Sequence, residues 1–259
     1  IAAHTKAIAL ATGAIVLPLR HPLHVAKAAA SVDQLSGGRL VMGVASGDRP
    51  VELPAFGVEI ERRADLFSEY FGKIRRVLER EYPALTSTAG TLSGNADLVP
   101  KPMGRLPILV TGQSGQSLSW IASHADGWIT YPRGIDRQAE TVARWRSEVH
   151  SARPGIFKPF VQSLYVDLAD DPYLEPTAIH LGFKAGRHFL RHFLDSLRVA
   201  GVNHVVLNLK YGARPASEVI EEIGTELLPA LAGALGGKLD GTEPEPSGEE
   251  VDDMLSPQH

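Results

Sequence analysis

Short runs of buried-type, β-prone residues alternate along this chain with longer stretches whose apolar positions recur at helical spacing. Strands are predicted near Ala7–Ala14, Arg39–Ala45, Pro107–Thr111, Gly127–Tyr131, Phe160–Asp167 and His204–Leu209. Helices are predicted over Leu23–Leu35, Arg62–Arg80, Ser117–His124, Arg137–Ser151, Lys184–Ala200 and Ser217–Leu235. The second of these shows the spacing most clearly, with Leu66, Phe67, Tyr70, Ile74 and Leu78 on one face. Continuous apolar runs such as RLVMGV and HVVLNL suit strands buried on both faces of a parallel sheet. Residues 82–104 read as a connection carrying a short β-hairpin. Six βα units in succession give an α/β fold, either an open doubly wound sheet or a closed (β/α)8 TIM barrel, and periodicity does not separate the two.

In both architectures chemistry gathers at the carboxyl ends of the strands. Those ends are TGA (12–14), ASGDR (45–49), TGQSGQS (111–117), TYPR (130–133), VDLADD (166–171) and NLKYG (208–212). The 111–117 segment puts glycines and hydroxyls between a strand and a helix, the arrangement of a phosphate cradle; an ordinary turn capped by Ser114 or Ser117 explains the same residues. No Gly-Lys-Ser/Thr follows a strand, which argues against a Walker-type nucleotide triphosphatase. Ser46 sits in VASGD, without the first glycine of a nucleophile elbow. His180, His188 and His192 include a pair, His188 and His192, that shares a helix face, but the residue after His188 is Phe rather than Glu and no carboxylate is well spaced, so no metal is expected. His21 follows a strand end and precedes Pro22; it is a candidate for proton transfer and equally for bracing the turn.

Composition narrows the classes further. The 259 residues are 44% hydrophobic and 22% charged, with ten histidines and no cysteine, which excludes disulfide scaffolds, thiolate metal sites and cysteine nucleophiles. No apolar run is long enough to span a bilayer, and a cytoplasmic address is the expectation. The net charge of -4 is concentrated at the end of the chain, leaving a nearly neutral body with no electrostatic case for nucleic-acid binding. Residues 237–259 combine glycine, proline and acidic side chains and are expected to form a disordered tail beyond a single domain at 1–236. The start at Ile1, on what reads as the end of a helix, suggests a missing N-terminal segment.

The stretch Thr12 to Gly57, with a strand ending Thr-Gly-Ala, then LPLRHP, a helix holding Asp33, the LSGGR turn, RLVMGV and PAFG, resembles the luciferase-like monooxygenase family of flavin-dependent oxidoreductases. The later SGQSLSWIASHADGW and NHVVLNL extend that resemblance to roughly residues 1–235. It implies a (β/α)8 barrel of which about six units are present. The two earlier units, including the reactive-face acid or base, have no counterpart, and six strands do not close an eight-stranded barrel. It also implies FMN, supplied reduced by a partner flavin reductase, with oxygen and a small organic substrate; some relatives use a deazaflavin, and a barrel that binds flavin or phosphate without turnover is the alternative. A homodimer is the expected assembly.

Residue by residue, the resemblance carries over Thr12, Gly13 and Ala14 as the strand end behind the flavin ring, with a non-prolyl cis peptide at Gly13–Ala14. Ala45 and Ser46 are carried over as residues beside the ring, and Gly112, Gln113, Ser114, Gly115 and Ser117 as the phosphate site. Ser46 stands where many relatives have a phosphate-gripping arginine, which shifts that role to the 112–117 backbone or to Arg133. Arg49, Arg133 and Lys210 are expected to supply charge to substrate or phosphate, and Arg20 and His21 are the catalytic candidates.

Overall fold

The structure, a computed structural model, describes residues 1–233. The expected tail at 237–259 and the last three positions of the expected 1–236 domain lie outside the described residues. These fall into two compact units: residues 1–129 with 151–158, and residues 130–150 with those from 159 onward.

The first unit is built on a parallel sheet. Strands β1 (Leu10–Ala11) and β2 (Ile15–Val16) both pair with β3 (Leu40–Ala45), in register Leu10↔Leu40 and Ile15↔Val44. Next to β3 lies β6 (Ile108–Thr111), followed by β7 (Gly127–Thr130). Of the strand expected over 7–14 only Leu10–Ala11 forms, and pairing with β3 resumes beyond it at Ile15–Val16. Helix α1 (Pro22–Ser36) returns the chain from β2 to β3 and buries Val25, Ala26, Ala29 and Ala30. It stops at Gly37, whose left-handed backbone (φ 70°) lets its N–H and that of Gly38 close on Asp33 and Gln34 carbonyls. After the short helix α2 (Glu52–Ala55), helix α3 (Arg63–Glu79) buries Leu66, Phe67, Phe71, Ile74, Val77 and Leu78. Each such side chain contributes about 1.5–3 kcal/mol of gross burial energy, which is why this face keeps strict helical spacing.

Strands β4 (Ala84–Ser87) and β5 (Gly90–Ser93) form an antiparallel hairpin within the predicted connection. Its tip is held from outside: Lys73 donates to Ser87 Oγ at 2.6 Å and to the Gly90 carbonyl at 3.0 Å, and Glu69 accepts from Thr88. Helix α4 (Leu118–His124) leads from β6 to β7, and the Lys158 ammonium closes its far end on the Ala122 and Ala125 carbonyls. Burial pushes the Lys158 amine below its ordinary value.

The second unit holds most of α5 (Ile135–Ala152), then β8 (Phe160–Leu168), β9 (Thr177–Ile179), β10 (Gly182–Ala185), α6 (Arg187–Val199) and β11 (His204–Asn208). Strand β8 is shared: its first half pairs in parallel with β11, in register His204↔Val161 to Asn208↔Tyr165, and its second half with β10. Strands β9 and β10 form an antiparallel hairpin that the sequence pattern does not predict. The helix expected from Lys184 therefore begins at Arg187, because Gly182–Ala185 are drawn into the sheet against β8. Phe183 then meets Phe189 and Phe193 of α6 edge-on at 4.9 and 5.1 Å. The helix expected over 217–235 is α7 (Ala216–Glu222), a π-helical turn at Ile223–Leu227 and α8 (Leu228–Gly233). Among the described residues no helix is long and apolar enough to cross a membrane, and no three His, Asp or Glu side chains gather as metal ligands.

Candidate functional site

Three strand ends of the first unit converge. At the first, the Gly13–Ala14 peptide is cis, and the Thr12 hydroxyl donates to the Gly43 carbonyl at 2.9 Å, fastening the end of β1 to the middle of β3. Gly43 is required there, because a Cβ would lie deep inside the contact radius of the Thr12 carbonyl oxygen. At the second, the buried Ser46 follows β3, and its N–H donates to the Ser114 hydroxyl at 3.1 Å. That hydroxyl donates in turn to the Thr111 carbonyl at 2.9 Å, so Ser114 ties the ends of β3 and β6 together.

The third strand end is the turn after β6. Gly112, Ser114 and Gly115 all have positive φ, at 58°, 51° and 74°. This winding leaves the N–H groups of Gln113, Ser114 and Gly115 without an acceptor among the described residues, which is the makeup of an anion-binding nest. Trp128 Nε1 donates to the Gly112 carbonyl at 2.7 Å, and Gln116 Nε2 to the Ala64 carbonyl at 2.9 Å, fixing the turn from both sides. A Cβ on Gly115 would collide with the Ala64 side chain. Ser117 caps α4 by accepting from Trp120 N–H at 3.1 Å. The Thr111 hydroxyl is buried and makes no hydrogen bond among the described residues. Sequence reasoning missed Trp128, Gln116 and Thr111 as parts of this site; the Gly-rich pattern marks the turn but not what braces it.

The other predicted residues divide. Arg49 is exposed and pairs with Glu52 at 3.0 Å. Arg20, His21 and His24 line a cavity of about 630 Å³ in the first unit together with Thr12 and Ala14 of the first strand end. His21 accepts from Leu23 N–H through Nδ1 at 3.3 Å, which leaves Nε2–H to donate to the Ala89 carbonyl at 3.0 Å. The imidazole thus caps α1 and pins the hairpin tip. We expect His21→Ala to cost about 0.5–2 kcal/mol in a urea melt, the range of a lost N-cap; an unchanged midpoint would show that the cap carries no weight. Trp120 packs on Phe67, Phe71 and His124. His188 stacks on Tyr173 at 4.4 Å. In the second unit, the partly buried Arg133 donates to the Tyr131 carbonyl at 3.1 Å and to Gln138 Oε1 at 3.4 Å, both neutral acceptors. Burial, then the nearby Arg144 charge, push its guanidinium below the usual value. Lys210 lies over the Tyr211 ring.

A βα turn with free backbone donors, on a parallel α/β scaffold with a cis peptide at a neighbouring strand end, has the makeup of an anion-binding site. The sequence of residues 1–172 matches the model of the luciferase-like monooxygenases, and the chain belongs to that family. An uncharacterized protein of Mycobacterium tuberculosis is 39% identical over 136 residues, 51% of this chain and 47% of that protein, so the chain spans about half the length of the curated relatives it matches. Among solved structures, the coenzyme F420-dependent tetrahydromethanopterin reductase of Methanopyrus kandleri superimposes with a TM-score of 0.73 at 16% identity, over 88% of this chain and 85% of that one. The oxygenating constituent of 3,6-diketocamphane monooxygenase from Pseudomonas putida, in complex with FMN, gives 0.69 at 17% identity over 88% and 81%. These likenesses show the fold: the chain carries part of the luciferase-like (β/α)8 barrel rather than an open doubly wound sheet.

Proposed function

We propose that the chain carries the flavin-holding part of an FMN-dependent monooxygenase that uses reduced flavin and oxygen on a small organic substrate. The observation that carries this reading is the turn at 112–115, where three backbone N–H groups have no partner among the described residues, in a chain of this family. Those donors, with the Ser117 hydroxyl beside them, would hold the phosphate. Thr12, Gly13 and Ala14 would back the ring, and Ala45 and Ser46 would flank it. Because the Ser114 hydroxyl is committed to Ser46 and Thr111, its part is to hold the two strand ends in place rather than to touch the ligand. FMN, when bound, supplies the redox chemistry with oxygen. The protein's task is to bind it, orient it and keep water from it. Arg133 is the cation best suited to an anionic group, since it donates to the Tyr131 carbonyl and to Gln138, both neutral, and burial disfavours its charge. Arg20, His21 and Arg49 remain candidates for substrate or proton handling in this reading, which also includes a flavin reductase as partner, a homodimer and a cytoplasmic address.

A deazaflavin is the second reading, favoured by the likeness to the F420-dependent reductase. Titrating the chain with FMN, reduced FMN and F420, followed by flavin fluorescence, separates the two. Saturable binding is expected, with Gly115→Ala weakening it about tenfold or more, because a Cβ at φ 74° collides with Ala64 and would turn the N–H groups of the turn off the ligand. Binding of neither cofactor would sink the reading, and binding without any oxygen-dependent consumption of reduced FMN would favour a barrel that binds without turnover.

A further inference from the structure

In the second unit, three rings from three separate elements meet on one face of the sheet. Tyr165 stands on β8, His180 in the turn between β9 and β10, and Tyr211 just beyond β11. The Tyr165 ring lies 5.1 Å from Tyr211 and 5.8 Å from His180, and His180 meets Tyr211 edge-on at 6.1 Å. Packing alone does not account for this trio. Tyr211 remains 45% exposed, His180 is exposed, and neither tyrosine hydroxyl nor either imidazole nitrogen has a hydrogen-bond partner among the described residues. The backbone is shaped to make the meeting happen. Leu181 adopts φ 52°, and Gly182 sits where a Cβ would run into the backbone of Tyr165 itself.

The charges around the rings leave a positive balance. Lys210 Nζ lies 5.3 Å from the Tyr211 centroid and has no carboxylate within ion-pair distance among the described residues. Lys184, on the same face of the sheet, is 3.7 Å from Asp167, which also accepts from Ala213 N–H. That carboxylate offsets Lys184 and leaves Lys210 as the surplus cation. Open π faces, uncommitted hydroxyls and imidazole nitrogens, and one surplus ammonium together fit a planar aromatic molecule carrying a carboxylate or phenolate.

We propose that Tyr165, His180, Tyr211 and Lys210 form a binding site for an anionic aromatic compound. It concerns the second unit alone and stands apart from the flavin-dependent reading. The test uses the whole chain, with and without FMN, and 4-hydroxybenzoate as probe, followed by calorimetry and saturation-transfer NMR. Cyclohexanecarboxylate, with the charge but no ring, and 4-hydroxybenzyl alcohol, with the ring but no charge, serve as comparisons. We expect 4-hydroxybenzoate to bind more tightly than either. Tyr211→Ala should weaken it about three- to tenfold, as expected for one lost ring contact. Lys210→Met should narrow the gap between the benzoate and the alcohol. Both side chains are exposed, so their melts should match the parent and a lost signal reads as lost binding. Equal binding of cyclohexanecarboxylate, or an affinity indifferent to Tyr211→Ala, overturns the proposal. Aromatic binding without FMN binding would overturn the flavin reading alone, and FMN binding without aromatic binding would overturn this site alone.

Discussion

Asp126→Ala should be among the most damaging single changes in the first unit, costing about 3–5 kcal/mol, as expected when one member of a largely buried ion pair is removed. The Asp126 carboxylate accepts from Arg75 and from Ile108 N–H at 2.8 Å, and pairs with Arg105 at 3.0 Å. Arg75 keeps only 13% of its side chain exposed, and its other partners are Glu79 at 3.6 Å and the Leu106 carbonyl. Without Asp126, both the guanidinium and the first N–H of β6 lose their main acceptor, and the cradle turn hangs from that strand. Burial acts to raise the Asp126 carboxyl, but the Arg75 charge and the hydrogen bonds from Ile108, Arg75 and Arg105 together hold it below its ordinary value. A group depressed in the fold stabilises fully above its unfolded value, near pH 4, and that contribution is lost as pH falls through the lower folded value. Denaturant melts from pH 7 to pH 2.5 should therefore show a steeper acid loss in the parent than in Asp126→Asn, and parallel curves would refute the assignment.

Gly43→Ala should cost about 1–3 kcal/mol or more from overpacking, and should also weaken FMN binding. The added methyl would press on the Thr12 carbonyl oxygen and on Ile129 at 3.3 Å. Thr12 has little freedom to retreat, since its N–H donates to Val41 at 3.2 Å and its hydroxyl to Gly43 itself. The displacement would pass directly into Gly13 and Ala14. Gly72→Ala is the contrasting change: it lies within α3, a Cβ there would meet nothing within 4 Å, and it should stabilise by about 0.5–1 kcal/mol through helix propensity. A urea midpoint for Gly43→Ala equal to that of the parent would remove the argument that close strand approach shapes the site.

Elements whose burial follows a regular period were readable from the chain. Leu40, Met42 and Val44 alternate into the core of β3, and Leu66, Phe67, Ile74 and Leu78 trace the buried stripe of α3, with Phe71 rather than the expected Tyr70 buried between them. The hairpin β9–β10 was not readable, because GFKA is too short to show a period of two and merges with the amphipathic run that follows. What makes it a strand is the approach of Gly182 to Tyr165, a contact between positions 17 apart that no local pattern reveals. The candidate site divides in the same way. Its glycines announce a special backbone, whereas the Ser114 bond to Ser46 joins residues 68 apart and exists only once β3 and β6 are neighbours. His21 behaves in the same way: its ring nitrogens meet the Leu23 N–H and the Ala89 carbonyl, and the second of these contacts, between residues 68 apart, has no local signal.

The guanidinium of Arg39 donates to the carbonyls of Ala2, Thr5, Ile8 and Ser36 and to the Thr5 hydroxyl. Four of those five acceptors belong to the first eight residues, and β1 also takes its register from the residues directly after Arg39. Residues 2–8 are thus fastened by a side chain about thirty positions further along, the separation these bonds span. One guanidinium is the clasp of that whole segment, so the segment is kept from a protease only while Arg39 holds it.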